Sequence, residues 1–177
     1  MLDNTPLPVP SENKLVAKLF SMDRSRLPIL ASSRFIPHPP NFTALIALGF
    51  YIPVFFGLRF VPIVAMCFAI TDIFIGFHST TLFTWGSILM IGYISRFFVS
   101  SIISRIFGAF SCALIFFIIT NFGVWITGGY EKSINGLIMC YVLAIPFFTY
   151  TFLSTLLYSC IIELINSIYS FKKIQIK

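Results

Sequence analysis

The chain has 177 residues, of which 58% are hydrophobic, 18% are aromatic and only 10% are charged, and its formal net charge is +6. Soluble domains carry about 25% charged residues, so the composition excludes a water-exposed domain and predicts an integral membrane protein. The basic residues are concentrated near the two ends of the chain, which favours contact with anionic lipid over nucleic acid, because no base-stacking module accompanies them.

The N-terminal segment, residues 1–33, is basic and mixed in character. Its first 13 residues, MLDNTPLPVPSEN, are polar and proline-rich, without the early apolar stretch of a cleavable signal peptide. Residues 14–33 contain apolar stretches, but Asp23, Arg24 and Arg26 lie at their centre. A spanning helix would bury these charges at a high cost. We therefore expect an interfacial or partly inserted segment, followed by a helical transmembrane domain over residues 34–177.

The stretch RFIPHPPNFTAL, residues 34–45, joins this segment to the first apolar run. Its three prolines fix φ and remove N–H donors, which predicts a rigid, extended backbone. Asn41 is placed to cap a helix beginning at Phe42, and the partial positive charge of a helix N-terminus would then lie near Arg34 and His38. We interpret Arg34, His38 and Asn41 as part of a rigid, positively biased lip over a binding cavity. The alternative is a stiff loop that sets the angle of helix entry, with Arg34 bound to lipid phosphate.

Five apolar runs follow, and each predicts a membrane helix. A helix that spans the bilayer needs about 20 residues, so the shorter runs fit only if they tilt or extend into their flanks. The connections between the runs are very short and leave no room for an aqueous catalytic domain. The runs cover residues 42–58, 60–77, 82–95, 106–125 and 133–162.

The last run is too long for one upright helix, and Pro146 lies near its middle. One tilted helix gives five clear spans and places Arg59, Arg96 and Arg105 in the cytoplasm with the C-terminus. A break at Pro146 gives two helices in this run, and the distribution of basic residues then agrees better with the positive-inside rule. The predicted fold is therefore an all-α, polytopic membrane protein with five to six transmembrane helices and short loops. Both arrangements place the lysines of residues 172–177 in the cytoplasm.

Polar side chains within the apolar runs are the candidate binding groups. Asp72 lies inside an apolar run, where a carboxylate is costly and faces a cavity or a partner. We interpret it as a ligand-binding or proton-coupling group, and a contact with a helix end near the interface is the alternative. Asn121, Trp125 and Tyr141 combine hydrogen bonding with aromatic faces, as small-molecule pockets do. For Trp125 the alternative is an aromatic belt at the membrane interface.

Small residues recur every four positions at the start of the fourth run. This spacing places them on one face of a helix, which predicts a close contact with a neighbouring helix. The residues are Ser100, Ser104, Gly108 and Cys112.

The remaining reactive side chains do not form a recognisable catalytic pattern. The four cysteines lack the spacing of a metal site and lie in apolar runs, where they favour packing. Intramembrane chemistry needs clustered His, Asp or Glu at helical spacing, and two isolated histidines with one buried aspartate do not provide it. We therefore expect no metal, no cofactor and no enzymatic activity.

Four motifs are distributed along the chain. They are PHPPNFT (37–43), which follows Arg34, TDIFIG (71–76), TNFGVW (120–125) and GLIMCYVLAIPFF (136–148). Together they resemble the pattern of an uncharacterised family of small bacterial integral membrane proteins that are described only as candidate transport proteins. The architecture of that family is distantly similar to the substrate-binding components of energy-coupling-factor transporters, which have six helices and capture a small molecule from outside.

The resemblance implies a protein of the bacterial inner (plasma) membrane, with a single last helix and an external PHPPNFT segment. Two features depart from the family pattern: the region before Arg34 is charged, and the first helix lacks the pair of small residues that docks an energising subunit. Ala65 and Ala69 form such a pair on a later helix.

The predicted function is the binding and transport of a small solute in a cavity among transmembrane helices. The expected partners are the lipid bilayer, an unidentified small-molecule solute and, as a further option, other membrane subunits, but not nucleic acid. A structural or assembly subunit of a membrane complex is the alternative. An intramembrane enzyme is the weakest hypothesis, because the buried polar residues do not cluster.

Overall fold

The computed structural model describes residues 41–175, and within this range the chain is all-helical, which confirms the all-α part of the predicted fold. The basic segment, together with Arg34 and His38, lies outside the described residues. Short 3₁₀ turns at Leu58–Phe60 and Ser95–Phe98 and a π-helical turn at Trp125–Gly129 lie in the connections. The α-helices are α1 (Leu45–Phe56), α2 (Val61–Ile75), α3 (Thr81–Ile94), α4 (Ile102–Val124) and α5 (Ile134–Gln175).

The five helices correspond in number and order to the five apolar runs of the sequence. The largest shift at a helix start is in α4, which begins at Ile102 instead of residue 106. Three helical stretches are long and apolar enough to cross a membrane by length and composition. They are Leu58–Ile75, Ile102–Gly129 and Ile134–Ile168. In contrast, α1 has only 12 residues.

The last run forms one continuous helix of 42 residues, α5, with Pro146 inside it. Proline removes one backbone donor and crowds the preceding turn, but α5 packs against α4 and α1, and this packing outweighs a single missing hydrogen bond. The predicted single helix is therefore confirmed, and the alternative of two helices broken at Pro146 is wrong.

Helix α1 lies at the centre of the fold. Nine of its 12 residues are buried, and it packs against each of the other four helices. A helix that is apolar on all sides is expected in such a position. It ends at Gly57, whose φ of 94° is strained for residues with a side chain.

Helix α4 approaches the core closely at Gly108. A Cβ atom at this position would lie 2.5 Å from Cγ of Phe98 and 2.7 Å from Cζ of Phe50, so only glycine fits without a shift of these rings. Cys112, one turn further on, is fully buried. The predicted close contact is therefore confirmed at Gly108 and Cys112. Ser100 is exposed in the connection before α4 and takes no part in it.

The start of α1 differs from the prediction. Asn41 does not cap the helix: it has a φ of 63°, and its backbone carbonyl accepts a hydrogen bond from the N–H of Thr43 at 3.1 Å. The helix begins at Leu45, after Ala44, which provides no side-chain cap. Instead, the Thr43 hydroxyl accepts a long hydrogen bond of 3.4 Å from the N–H of Leu45. The predicted cap is wrong because Asn41 adopts the left-handed conformation that asparagine tolerates, and the chain turns there before the helix starts.

Candidate binding cavity

Two adjoining cavities, of about 290 and 210 Å³, lie at the N-terminal end of α1. Their combined size is in the lower part of the range typical of small-molecule sites. Because they share a wall, we describe them together as the α1 cavity. The shared lining residues are Asn41, His78, Thr84, Phe116 and Thr151.

The α1 cavity exists because α1 is shorter than its neighbours. Leu45 and Ile46, in the first turn of α1, line the first cavity. Helices α4 and α5 continue beyond this turn, and their residues Val124 and Ala144 line the second cavity. The connection between α2 and α3 closes another side through His78. The site therefore forms where four separate parts of the chain converge.

Threonine hydroxyls provide much of the polar lining. Thr84, Thr120 and Thr151 each donate to the backbone carbonyl four residues earlier in the chain, at 3.3, 2.8 and 3.1 Å. A hydroxyl that donates in this way still has lone pairs that can accept a hydrogen bond. The cavity is therefore suited to a solute that carries N–H or O–H donors.

Phenylalanine rings from α4 and α5 form the apolar walls. Phe116, Phe117, Phe147 and Phe148 all line the second cavity, and the ring centres of Phe117 and Phe148 are 4.7 Å apart. Aromatic walls with a few polar groups can bind a solute by its face while hydrogen bonds fix its orientation.

His78 is held in place at the edge of the cavity. Its backbone N–H donates to the Thr81 hydroxyl at 3.0 Å, and its ring Nδ1 lies 3.3 Å from the same oxygen. Thr81 thus fixes the imidazole that lines both cavities. His78 was not among the predicted binding residues.

Two of the predicted binding residues lie at the α1 cavity. Asn41 lines both parts and is exposed. Asn121 lines the second part, where its side-chain amide donates to the Phe117 carbonyl at 2.8 Å. The other two residues of the predicted lip, Arg34 and His38, lie outside the described part of the chain.

Asp72 is buried, with 1% of its surface exposed, but it is not among the described residues that line the cavity. Its carboxylate accepts a hydrogen bond of 2.7 Å from Nε1 of Trp85 and so connects α2 to α3. This contact is with the Trp85 side chain, whereas the alternative interpretation was a contact with a helix end. A role of Asp72 in binding stays a prediction.

Trp125 and Tyr141 brace the hairpin of α4 and α5 beside the cavity. The Trp125 indole donates to the Glu131 carbonyl at 3.0 Å, and the Tyr141 hydroxyl donates to the Ile118 carbonyl at 2.7 Å. Neither is among the described lining residues, so their predicted binding roles are also untested.

The threonines of the cavity were not found from the sequence. Single threonines are common in apolar helices, where they bond to their own backbone, and so Thr80, Thr84 and Thr120 carry little signal. For Thr151 a signal was available in the sequence, because Thr151 begins a series of polar residues spaced by four along the last helix, as the small residues at 100–112 are along the fourth.

Comparison with known proteins places the chain in a family. The sequence model of DUF6580, a family of unknown function, matches residues 25–174. The chain belongs to DUF6580. For this DUF6580 protein, the matched range contains every described residue that lines the α1 cavity. No curated protein and no solved structure matches the chain. Membership of an uncharacterised family is thus confirmed, whereas the likeness to transport proteins stays a prediction.

Proposed function

We propose that this DUF6580 protein is an integral membrane protein that binds a small solute in the α1 cavity and carries it across the bilayer. Its exposed surface supports insertion in a membrane. Large apolar side chains point outward along the helices, among them Phe74, Ile103 and Ile134, each at least 76% exposed. A soluble monomer rarely exposes contiguous apolar surface on this scale, and three helices have the length and composition of spans.

The observation that carries the proposal is the polar cavity at the N-terminal end of the short, central helix α1. The 12 residues of α1 extend about 18 Å, against a hydrocarbon core of about 30 Å. A helix that ends inside a membrane must have its free N–H groups satisfied by protein, water or ligand. Short or interrupted helices whose ends face a cavity form the binding sites of many transporters. The threonines, asparagines and His78 give the α1 cavity the polar groups for this role.

Among residues 41–175, the distribution of basic residues favours one orientation, because Lys132 in the α4–α5 connection is the one basic residue of this range at the cavity end. The α1–α2 and α3–α4 connections lie at the end opposite to the cavity, and they carry Arg59 and Arg96. Arg105 and the C-terminal part of α5 lie at the same end. The positive-inside rule would place this end in the cytoplasm and the cavity toward the outside. Because the basic residues of the N-terminal segment precede α1, this orientation requires that segment to remain at the outer surface or to cross the membrane itself.

Binding can be tested by thermal unfolding of the purified protein in detergent, in the presence of a panel of small polar solutes. A solute at about 100 times its Kd stabilises the folded state by about 2.7 kcal/mol. Thr151→Val removes one hydroxyl that lines both parts of the cavity and keeps the shape of the side chain. Thr149→Val is the matched control, since Thr149 is exposed, lies on the same helix and makes the same kind of backbone bond at 3.2 Å.

We expect at least one class of solute to raise the unfolding temperature, and Thr151→Val but not Thr149→Val to reduce this effect. Uptake of that solute into proteoliposomes should fall in the same variant. Equal loss in both variants would place binding elsewhere. If no solute stabilises the protein, the alternative of an assembly subunit in a membrane complex is favoured.

A further inference from the structure

The buried face of α5 is its polar face. Thr151, Thr155, Ser159 and Glu163 are spaced by four residues, and their exposed fractions are 7%, 1%, 1% and 4%. Leu157, on the outward face between them, is exposed. We call these four inward residues the polar seam. A helix of a water-soluble protein shows the opposite distribution, with the apolar face buried.

The polar seam connects the α1 cavity to an ion pair. It begins at Thr151, which lines the cavity, and runs about 18 Å to Glu163. There Arg105 of α4 binds the carboxylate through two hydrogen bonds, from Nε to Oε1 at 2.6 Å and from a terminal nitrogen to Oε2 at 2.8 Å. The guanidinium lies 5.6 Å from the ring centre of Phe55, near the end of α1. The seam therefore follows α1 over its length.

Two buried hydroxyls at the seam, Ser159 on α5 and Tyr51 opposite it on α1, make no hydrogen bond of full geometry with the described residues. The Tyr51 hydroxyl lies beside Ser159 and the Glu163 carboxylate and interacts with both, but neither contact has the distance and angle of a full hydrogen bond. A buried hydroxyl without a full hydrogen bond is costly, and the usual explanation is a bound water or another polar ligand. Here the two hydroxyls face each other between the cavity and the ion pair.

Helix packing explains only part of this pattern. Serine and threonine pack helices closely in membranes, with their hydroxyls bonded to their own backbone. Thr155 fits this description, because its hydroxyl donates to the Thr151 carbonyl at 2.8 Å. Tyr51 and Ser159 do not fit it. Tyrosine is also too large to serve as a small packing residue.

We propose that the polar seam is the second half of the solute path and that the Arg105–Glu163 ion pair is the closed gate at its end. This inference rests on the proposed transport function. Water occupies the seam around Tyr51 and Ser159 when no solute is present. Release of solute at the basic end of the protein requires Arg105 and Glu163 to separate, which moves the start of α4 away from α5.

The gate can be tested with a cysteine placed inside the seam. In a variant with the four native cysteines replaced by alanine, Ser159→Cys is exposed to a charged, membrane-impermeant methanethiosulfonate reagent applied from the side of the C-terminus. With the ion pair intact, we expect slow modification. Glu163→Gln keeps the shape of the side chain and removes its charge. It should raise the modification rate by about tenfold or more, because a charged hydrogen bond shifts a closed–open equilibrium by at least that factor.

Two further variants make the result decisive. Arg105→Gln breaks the pair from the other side and should raise the rate at Ser159→Cys in the same way. Leu157→Cys, on the outward face of α5, is the matched control and should remain slow in each background. Failure of both Glu163→Gln and Arg105→Gln to raise the rate would overturn the gate. An equal rise at Leu157→Cys would also overturn it, because the substitutions would then loosen the whole bundle.

The outcomes are separable from those of the binding test. Cysteine modification requires no solute. If the protein binds a solute but modification of Ser159→Cys stays slow in both the Glu163→Gln and the Arg105→Gln variants, the gate is refuted and the proposed function stands. Conversely, a gated seam in a protein that no solute stabilises would count against transport of the panel solutes while the gate itself remains.

Discussion

The hydrogen bond between Trp85 and Asp72 allows a sharp test of what the buried carboxylate does. Trp85→Phe removes the indole donor, whose Nε1 lies 2.7 Å from the carboxylate, but leaves an aromatic ring in place. Asp72 is fully buried on α2, so water cannot easily replace the lost donor. We therefore expect α2 and α3 to be held together less tightly in this variant.

The expected cost follows from the chemistry of the bond. A hydrogen bond to a charged group contributes about 1.5–3 kcal/mol, so we expect Trp85→Phe to lower the free energy of unfolding by about 2 kcal/mol. For a protein of this size that corresponds to a fall of roughly 4–8 °C in unfolding temperature. The measurement is the loss of the monodisperse peak in size-exclusion chromatography after heating in detergent.

Trp125→Phe is the matched control. It also removes an indole donor, but that donor bonds to the neutral backbone carbonyl of Glu131 at 3.0 Å. Trp85 and Trp125 both pack against a phenylalanine, with ring centres 6.2 and 5.7 Å apart, so the loss of ring contact is similar. We expect the control to cost less than about 1 kcal/mol, the value for a neutral bond.

A double-mutant cycle separates the bond from the ring. In the Asp72→Asn background the acceptor is neutral, so Trp85→Phe should cost less than in the wild type by about 1 kcal/mol. Identical costs in the two backgrounds, or equal falls for Trp85→Phe and Trp125→Phe, would refute the reasoning that the charged bond stabilises the contact of α2 and α3.

Three other outcomes are expected. Asp72→Asn should leave solute-dependent stabilisation intact if the carboxylate is a helix contact, whereas its loss in a folded variant would return Asp72 to the binding site. Gly108→Ala should destabilise the protein by about 1–3 kcal/mol, since the added methyl group meets Phe98 and Phe50. Its control, Gly86→Ala in α3, has open space around it and should be neutral or stabilise by up to about 1 kcal/mol. Similar thermal shifts for the two variants would contradict the close packing of α4 at Gly108. A fluorescent protein fused to the C-terminus should be fluorescent in the cytoplasm, and a periplasmically active phosphatase fusion there would overturn the orientation.

The helices could be predicted because their signal is local. The apolar runs of the sequence predicted five helices in the right order, and Gly57 and Gly76 end two of them with φ of 94° and 104°. Local sequence alone could not decide whether the last run forms one helix or two helices broken at Pro146. Whether a proline breaks a helix depends on the packing around it, and the packing of α5 against α1 and α4 is a tertiary property.

The site was less accessible to prediction, because a cavity forms between elements and not within one. Asn121 was a candidate because its amide provides hydrogen bonds beside aromatic side chains, as in small-molecule pockets, and it lies at the cavity. The threonines have no such contrast with their surroundings. The predicted helix cap at Asn41 was wrong, because residue propensity alone cannot distinguish an asparagine that caps a helix from one that turns the chain before it.

The two functional hypotheses differ in what they require of the interior. A scaffold subunit needs an outward surface for its partners, and the outward face of α5 is apolar and could serve either lipid or protein. A scaffold subunit has no need for buried hydroxyls that lack full hydrogen bonds in its interior. The hydroxyls of Tyr51 and Ser159 make no full hydrogen bond with the described residues, and each would cost roughly 1–3 kcal/mol unless water or a solute supplies the missing bond, whereas apolar side chains there would need neither. Features that lower stability are concentrated where function requires them. Their position between the α1 cavity and the Arg105–Glu163 pair is therefore an argument for a path through the protein, and it favours a carrier over a scaffold.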